Sequence, residues 1–232
     1  MEKVCSLLHF NPDSDSAQSI RHLLEVAPQA LGLAGASQIK VAVFDAAVAD
    51  GSGLSIGTHP PDALVSWWTD CSWNLEPFLV ALNPVDEAPE VYLVCESIPL
   101  QYQLPLDSDG RCQGFSTVAC FEVLPGIGNE EFVQRWFGPH CAVAVETQRT
   151  HSYVRNEVVR ALTPNAQPWA GIVEEMFPIE ALTDPAVFFD AVDNPELQRN
   201  NEHRMFQSVA GFLDLSTIVR RPLSEYRFPV HT

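Results

Sequence analysis

The chain has 232 residues, 46% of them hydrophobic and 19% charged, which is the composition of a globular protein with one large domain or two small ones. Its formal net charge of −17 argues against binding to nucleic acid or to an anionic membrane surface, because both carry phosphates that would repel it. No apolar run approaches the roughly 20 residues of a membrane-spanning helix, and the N-terminus has no basic segment followed by an apolar one. We therefore expect a cytoplasmic protein.

The cysteines, the possible metal ligands and the phosphate-binding motifs exclude further classes of site. The six cysteines are scattered without a C-x-x-C pair, which predicts free thiols in a reducing compartment. No His, Cys or acidic residues show ligand spacing with a third partner, so we expect no metal site. The chain has no Gly-rich phosphate loop, Walker pattern or G-x-S-x-G elbow, so we expect no nucleotide or flavin cofactor.

The first part of the chain alternates strand-like and helix-like segments in the order strand, helix, strand, strand, helix, strand. The helices are indicated by apolar residues at helical spacing, and the strands by short β-rich apolar runs. The predicted elements are strand 3–10, a helix whose apolar stripe runs from Ile20 to Leu31, strand 38–47, strand 63–69, a short helix from residue 74, and strand 89–99.

The second part repeats this order after a polar segment, 101–113, that is rich in Gly and Asp and predicts a linker. Its predicted elements are strand 115–123, helix 130–148, strands 151–162 and 169–178, a helical region with starts at 183–185 and 194–196, and strand 217–228. We therefore predict an α+β protein of two ferredoxin-like βαββαβ units, residues 1–100 and 114–232. Their sheets would pack face to face as a dimeric α/β-barrel-type fold within one chain.

The helix at 130–148 carries one ionisable side chain on a mostly apolar stripe. Phe132, Trp136, His140 and Ala144 follow one another at i, i+4 spacing and so share a face. The simplest reading of His140 is a helix-end histidine that is partly exposed or bonded to a carbonyl. Pro139 should kink or restart the helix just before it.

The order of motifs around this helix resembles the EthD family of dimeric α/β-barrel proteins. The resemblance spans about 115–228. The matching segments are Glu-Glu-Phe before Trp136-x-x-x-His140, Tyr153-Val-Arg-Asn156, Asn194-Pro195-Glu196, and Phe212-x-Asp214-x-Ser216. In the family a Pro usually follows the His shortly, whereas here Gly138-Pro139 precedes it.

The resemblance implies a barrel cavity with His140 at its edge as general base or acid. Asn156 and Tyr153 would line the cavity or hold a substrate oxygen, and Trp136 would form part of its wall. Strand alternation puts Tyr153 and Asn156 on opposite faces unless a bulge intervenes, and we favour Asn156 as the inward residue. Ordinary packing remains the alternative for both residues.

The strand from Trp169 supplies two further candidates. Glu174 and Glu175 lie on opposite faces, so one of them could be a buried carboxylate with a raised pKa, and we select Glu175 for the substrate site. Trp169 could wall an aromatic pocket, although core packing is the simpler reading. The first part of the chain has Ala27 where the second has His140, so we expect one site per chain.

Two function hypotheses follow. The first is a cofactor-independent enzyme acting on a small apolar, aromatic or polyketide-like compound, of dehydratase, lyase or cyclase type, with a cofactor-free monooxygenase as the alternative. A lone His with Asn or Tyr donors suits proton removal beside a carbonyl or from a phenol. The second is a non-catalytic ligand-binding accessory protein. A homodimer is left open, since each half would have an edge strand available for pairing.

Overall fold

The computed structural model describes residues 1–11 and 15–229, and it contains a closed barrel of eight antiparallel strands. The strands follow the order β1-β3-β2-β8-β5-β7-β6-β4 around the barrel, and β4 pairs with β1 to close it. Residues 12–14 of the first predicted half and 230–232 of the second lie outside the described residues.

The elements up to residue 100 appear in the predicted order. They are β1 (Glu2–Leu8), α1 (Ser16–Arg21), a π-helical turn (His22–Val26), α2 (Ala27–Leu33), β2 (Gln38–Val43), a 3-10 helix (Ala49–Leu54), β3 (Ala63–Thr69), α3 (Glu76–Leu82) and β4 (Glu90–Leu100). The α1–α2 segment buries the apolar stripe that the sequence predicts, including Leu23, Ala27 and Leu31.

The elements of the second part also follow the predicted order. They are β5 (Phe115–Phe121), α4 (Asn129–Arg135), a π-helical turn (Trp136–His140), α5 (Cys141–Thr147), β6 (Ser152–Ala161), β7 (Gly171–Phe177), a 3-10 helix (Ile179–Leu182), α6 (Pro185–Phe188), α7 (Pro195–Val209) and β8 (Val219–Pro229). The two helix starts are real: Asp184 accepts from the Ala186 amide and Asn194 from the Leu197 amide.

Strands from both parts of the chain build one continuous barrel. The β2–β8 and β4–β6 pairs join the two parts, and every strand has a neighbour on each side. The expectation that each half has an edge strand available for pairing with a second molecule is therefore wrong for residues 1–11 and 15–229. The outer strands of one half, β2 and β4, pair with β8 and β6 of the other half. The fold is α+β, with strands closed into a barrel and helices outside it.

The segment 101–113, predicted as a linker, packs closely against β8. The Cys112 amide donates to the Glu225 carbonyl at 2.8 Å, and the Arg227 amide donates to the Gly110 carbonyl at 2.9 Å. Cys112 is fully buried, and Tyr102 nearly so. The segment thus covers part of the barrel wall instead of spanning open solvent.

The sheet has an interior face and a helix-facing one, and each has its own core. Inside the barrel, apolar residues of all eight strands pack together, among them Leu7, Tyr92 and Ile172. Outside, one apolar cluster lies under α1–α3 and another under α4, α5 and α7. No helix in the described part of the chain is long and apolar enough to cross a membrane.

Candidate functional site

His140 lies where the long helix of the second part changes its winding. Pro139 falls inside the π-helical turn, which accommodates its missing N–H between α4 and α5, so the predicted disturbance appears as a local widening. The side chains of Phe132, Trp136, His140 and Ala144 are all buried, and His140 is 7% exposed. The shared stripe is therefore confirmed.

The imidazole faces the outer side of the sheet and not the barrel interior. Its Nδ1 lies 3.0 Å from the Ser208 hydroxyl of α7, and its ring centroid is 4.7 Å from that of Phe212 and 6.5 Å from that of Tyr153. The prediction of a histidine at the edge of the barrel cavity is wrong in this respect, because the apolar stripe on which it lies faces the layer between helices and sheet.

Tyr153 and Trp136 join His140 in this layer. Tyr153, on β6, is fully buried, and its hydroxyl accepts a hydrogen bond of 3.2 Å from Trp136 Nε1. The neighbouring Arg155 places its guanidinium 4.0 Å above the Phe137 ring and donates to the Phe137 carbonyl. The imidazole and phenol thus share an aromatic environment with one cation nearby.

Glu175 lies on the same face of the sheet, directly opposite Tyr153 in the β6–β7 pair. Its carboxyl interacts electrostatically with Arg220 of β8, whose Nε donates to the Leu54 carbonyl at 3.0 Å. Arg220 was not identified from the sequence. The signal was available, since Arg220-Arg221 within a strand must place one guanidinium on each face.

Burial shifts the pKa values of these groups in directions that suit proton transfer. Burial, with a contribution from Arg155, lowers the pKa of His140 to about 4, so the imidazole is neutral at pH 7. Burial raises the pKa of Glu175 to about 7 against the opposing effect of Arg220. Burial also raises the pKa of Tyr153, which therefore keeps its proton. The set holds a neutral base, a carboxyl titrating near neutrality and a phenol donor.

The helices leave the middle of this sheet accessible. Ala119 lies on the helix-facing side of β5, the strand between β7 and β8, yet its side chain is only half-buried. Glu175 and Arg220 are half-buried too, as is Met205 of α7. Part of the space between the sheet and the helices is therefore open to solvent next to Glu175 and Arg220.

Asn156 points into the barrel, as the alternation argument predicts, and is separated from His140 by the sheet. Its Nδ2 donates to Glu174 Oε1 and to the Ile172 carbonyl, both at 3.0 Å. The expectation that Asn156 and His140 line one cavity is therefore wrong, since Asn156 is fully buried beside charged interior groups.

Glu174 is more deeply buried than Glu175, at 2% exposed, and has different partners. Its carboxylate lies 3.1 Å from Lys3 Nζ and 2.6 Å from Lys40 Nζ. Burial favours protonation, yet the two ammonium groups and Asn156 hold the pKa of Glu174 below its usual range. Glu175 is thus the carboxyl with the raised pKa, and Glu174 is a permanently charged partner of two lysines.

Trp169 lies at one mouth of the barrel, away from the helix-facing groups. It lines a cavity of about 550 Å³ together with Leu7, His9, Glu90 and Val219, among others. Of the six predicted site residues, the structure brings together His140, Tyr153, Trp136 and Glu175, and it places Asn156 and Trp169 elsewhere. Among the described residues, no three His, Cys, Asp or Glu side chains are grouped so that they could hold a metal ion.

Residues 124–216 match the family model of the EthD domain, the segment that contains every motif quoted for the resemblance except the last strand. No curated protein matches the chain. A solved structure of an anthrone oxidase-like protein superposes with a TM-score of 0.58 at 10% identity, covering 100% of this chain and 94% of that protein. This likeness shows the fold alone.

A proposed monooxygenase from Lactobacillus acidophilus NCFM gives a TM-score of 0.47 at 10% identity, covering 97% of this chain and 93% of that protein. The resemblance predicted from the sequence is confirmed by the match of residues 124–216 to the EthD domain model.

Proposed function

We propose that the protein is a cofactor-independent enzyme that transfers protons on a small aromatic or polyketide-like compound. The observation that carries the proposal is the grouping of His140, Tyr153 and Glu175 on the helix-facing side of the sheet, with burial holding the pKa of His140 at about 4 and that of Glu175 at about 7. The segment that matches the EthD domain model, 124–216, contains all three residues, which supports a site in this part of the chain.

The chemistry starts at His140. The hydrogen bond of Nδ1 with Ser208 fixes the ring and leaves Nε2 to accept a proton from a carbon beside a carbonyl or from a phenol. The resulting enolate or phenolate oxygen would take a hydrogen bond from Tyr153 and feel the positive charge of Arg220. Protonated Glu175 could then deliver a proton to a departing hydroxyl, which leaves as water.

This sequence of steps is that of a dehydratase or cyclase. The same enolate could react with O2, and this second reading fits the name of the anthrone oxidase-like neighbour. Both reactions need the base, so they differ only after the first proton transfer.

The order of elements in each half, βαββαβ with its strands arranged fourth, first, third, second, supports our reading of two tandem ferredoxin-like units.

The test uses anthrone, a tricyclic ketone with an acidic CH2 group, as the probe. Under argon, the protein should accelerate formation of the anthrone enolate, followed by absorbance. In air, oxidation would consume one O2 per anthrone and yield anthraquinone and water, followed with an oxygen electrode. His140→Gln and Glu175→Gln should each lower the rate about 10²–10⁴-fold, which is the usual contribution of a general acid or base.

His203→Gln is the matched control, because His203 is exposed on α7. Equal rates for His140→Gln and His203→Gln would remove His140 from the mechanism. Saturable binding of anthrone with no enolate formation at any pH from 5 to 9 would favour the accessory-protein hypothesis.

A further inference from the structure

A chain of alternating charges crosses the barrel interior. Its members, in spatial order, are Glu96, Lys3, Glu174, Lys40, Glu225 and Arg227. Successive Nζ or Nη to carboxylate distances are 2.6, 3.1, 2.6, 4.0 and 2.8 Å. Lys3, Lys40, Glu174 and Glu225 are at most 7% exposed. Three acids and three bases cancel, so the chain is neutral as a whole and the proposed mechanism uses none of it.

Both terminal members of this chain, Glu96 and Arg227, line a single cavity of about 440 Å³. Lys40, Glu96 and Arg227 supply its charged lining, and Trp68, Ile98, Val154 and Phe228 supply apolar walls. The volume lies within the range of roughly 300–1,000 Å³ that is typical of small-ligand sites. Ile98 is 46% exposed, so apolar surface extends to the rim.

Both cations at this cavity retain unused donors. The Lys40 ammonium has three N–H groups, and among the residues that the structure describes only Glu174 lies within hydrogen-bond distance of it, since Glu225 is 4.0 Å away. Arg227 bonds Glu225 through Nε at 2.9 Å and Nη2 at 2.8 Å, which uses two of its five N–H groups. The charged residues that line the cavity, Lys40, Arg227 and Glu96, sum to +1, while Glu174 and Glu225 behind them balance the charge of the whole chain.

The opposite mouth of the barrel has the other polarity. Glu90 and Glu122 line the cavity beside Trp169, and the Glu90 carboxylate already accepts from the Tyr92 hydroxyl and the Gln167 amide. An anion would meet two carboxylates there, together with His59 and with His9, whose Nε2 already lies 3.7 Å from Glu90. Of the two mouths, only the one at Lys40 and Arg227 combines spare cationic donors with apolar walls.

We propose that the cavity at Lys40 and Arg227 binds an apolar organic monoanion, namely an aryl carboxylate. Its carboxylate accepts hydrogen bonds from the two cations, and its ring system packs against Trp68 and Ile98. The site lies on the opposite side of the sheet from His140, so it is distinct from the proposed catalytic site and does not depend on it.

The experiment titrates the full-length protein with 1-naphthoate by isothermal calorimetry, with the neutral 1-naphthamide as its near-isostere. Naphthoate should bind at one site per chain, and the amide should bind at least tenfold more weakly because it lacks the charge. Equal affinity for the two compounds, or no naphthoate binding at millimolar concentration, would overturn the proposal.

Variants locate the site without disturbing the buried charges. Ile98→Glu adds a carboxylate at the rim and should weaken naphthoate binding about tenfold or more. The matched control is Ile179→Glu, since Ile179 is 44% exposed and lies outside the cavity lining, and it should leave the affinity unchanged. If Arg220→Gln weakens binding and Ile98→Glu does not, the anion lies on the helix-facing side of the sheet and the proposal fails.

Discussion

Glu174 and Glu175 are neighbours in β7 with opposite surroundings. Glu174 enters the barrel, where two ammonium groups lie within 3.1 Å of its oxygens. Glu175 faces the helices, where Tyr153 lies opposite it and Arg220 is its counter-charge. Burial acts on both, but the lysines reverse its effect on the pKa of Glu174 and not on that of Glu175. One residue step in a strand thus separates a fixed charge from a group able to exchange its proton.

The largest effect should come from neutralising the interior carboxylate. Glu174→Gln leaves Lys3 and Lys40 without their shared partner, and removing one member of a buried ion pair typically costs about 3–5 kcal/mol. Glu175→Gln keeps the shape, removes no close ion pair and removes the cost of burying a charge, so it should raise the free energy of unfolding by about 1–3 kcal/mol at pH 7. Urea denaturation monitored by tryptophan fluorescence measures both. Equal losses for the two variants would abolish the distinction between the faces.

The dependence of stability on pH should separate Glu175 from His140. The folded pKa of Glu175 is about 7 against an ordinary 4.5, so the folded state holds this proton more tightly and stability falls as pH rises from 4.5 to 7. The folded pKa of His140 is about 4 against 6.5, so the unfolded state binds this proton more tightly and stability falls as pH drops from 6.5 to 4.

Each contribution is on the order of 1–3 kcal/mol at its full extent. Glu175→Gln should remove the loss on the alkaline side, and His140→Gln the loss on the acidic side, in curves of unfolding free energy measured from pH 4 to 8. Difference curves that are flat across both windows would mean that neither pKa is shifted by folding.

The smallest effect concerns the support of the imidazole. Ser208→Ala removes the hydroxyl at 3.0 Å from His140 Nδ1 and should cost about 0.5–1.5 kcal/mol of stability, the net worth of one hydrogen bond. If this bond also orients the ring, the variant should lower kcat for anthrone enolate formation more than it raises KM. Ser208→Thr, which retains the hydroxyl, should restore most of the rate. No difference between Ala and Thr would limit Ser208 to packing.

The order of elements was predictable because it depends on local signals. Asp184 before Pro185 and Asn194 before Pro195 announce helices through their capping chemistry, and β3 was predicted with its observed limits, 63–69. The location of the site depends on which face of the sheet each helix stripe covers. Alternation correctly separated Tyr153 from Asn156, but it could not say which of them shares a side with His140.

The charged groups inside the barrel also could not be predicted from the sequence. Lys3 and Lys40 occur in apolar runs 171 and 134 positions from Glu174, so no local pattern links them. Only the register of β1, β2 and β7 around the barrel brings the three together. The packing of segment 101–113 was hidden for a related reason. Its polar composition is typical of a linker, whereas its backbone pairs with β8.

Barrel closure through β2–β8 has a consequence for synthesis. The partners Val43 and Ser224 are separated by most of the polypeptide, so this seam cannot form until the last strand has left the ribosome. Until then β2 and β5, which flank β8 in the barrel, each have one unpaired margin, and such margins are templates for association with other chains. Folding in cells should therefore depend on chaperones that shield these margins. In a circular permutant that begins at β8, the β2–β8 pair could form earlier during synthesis.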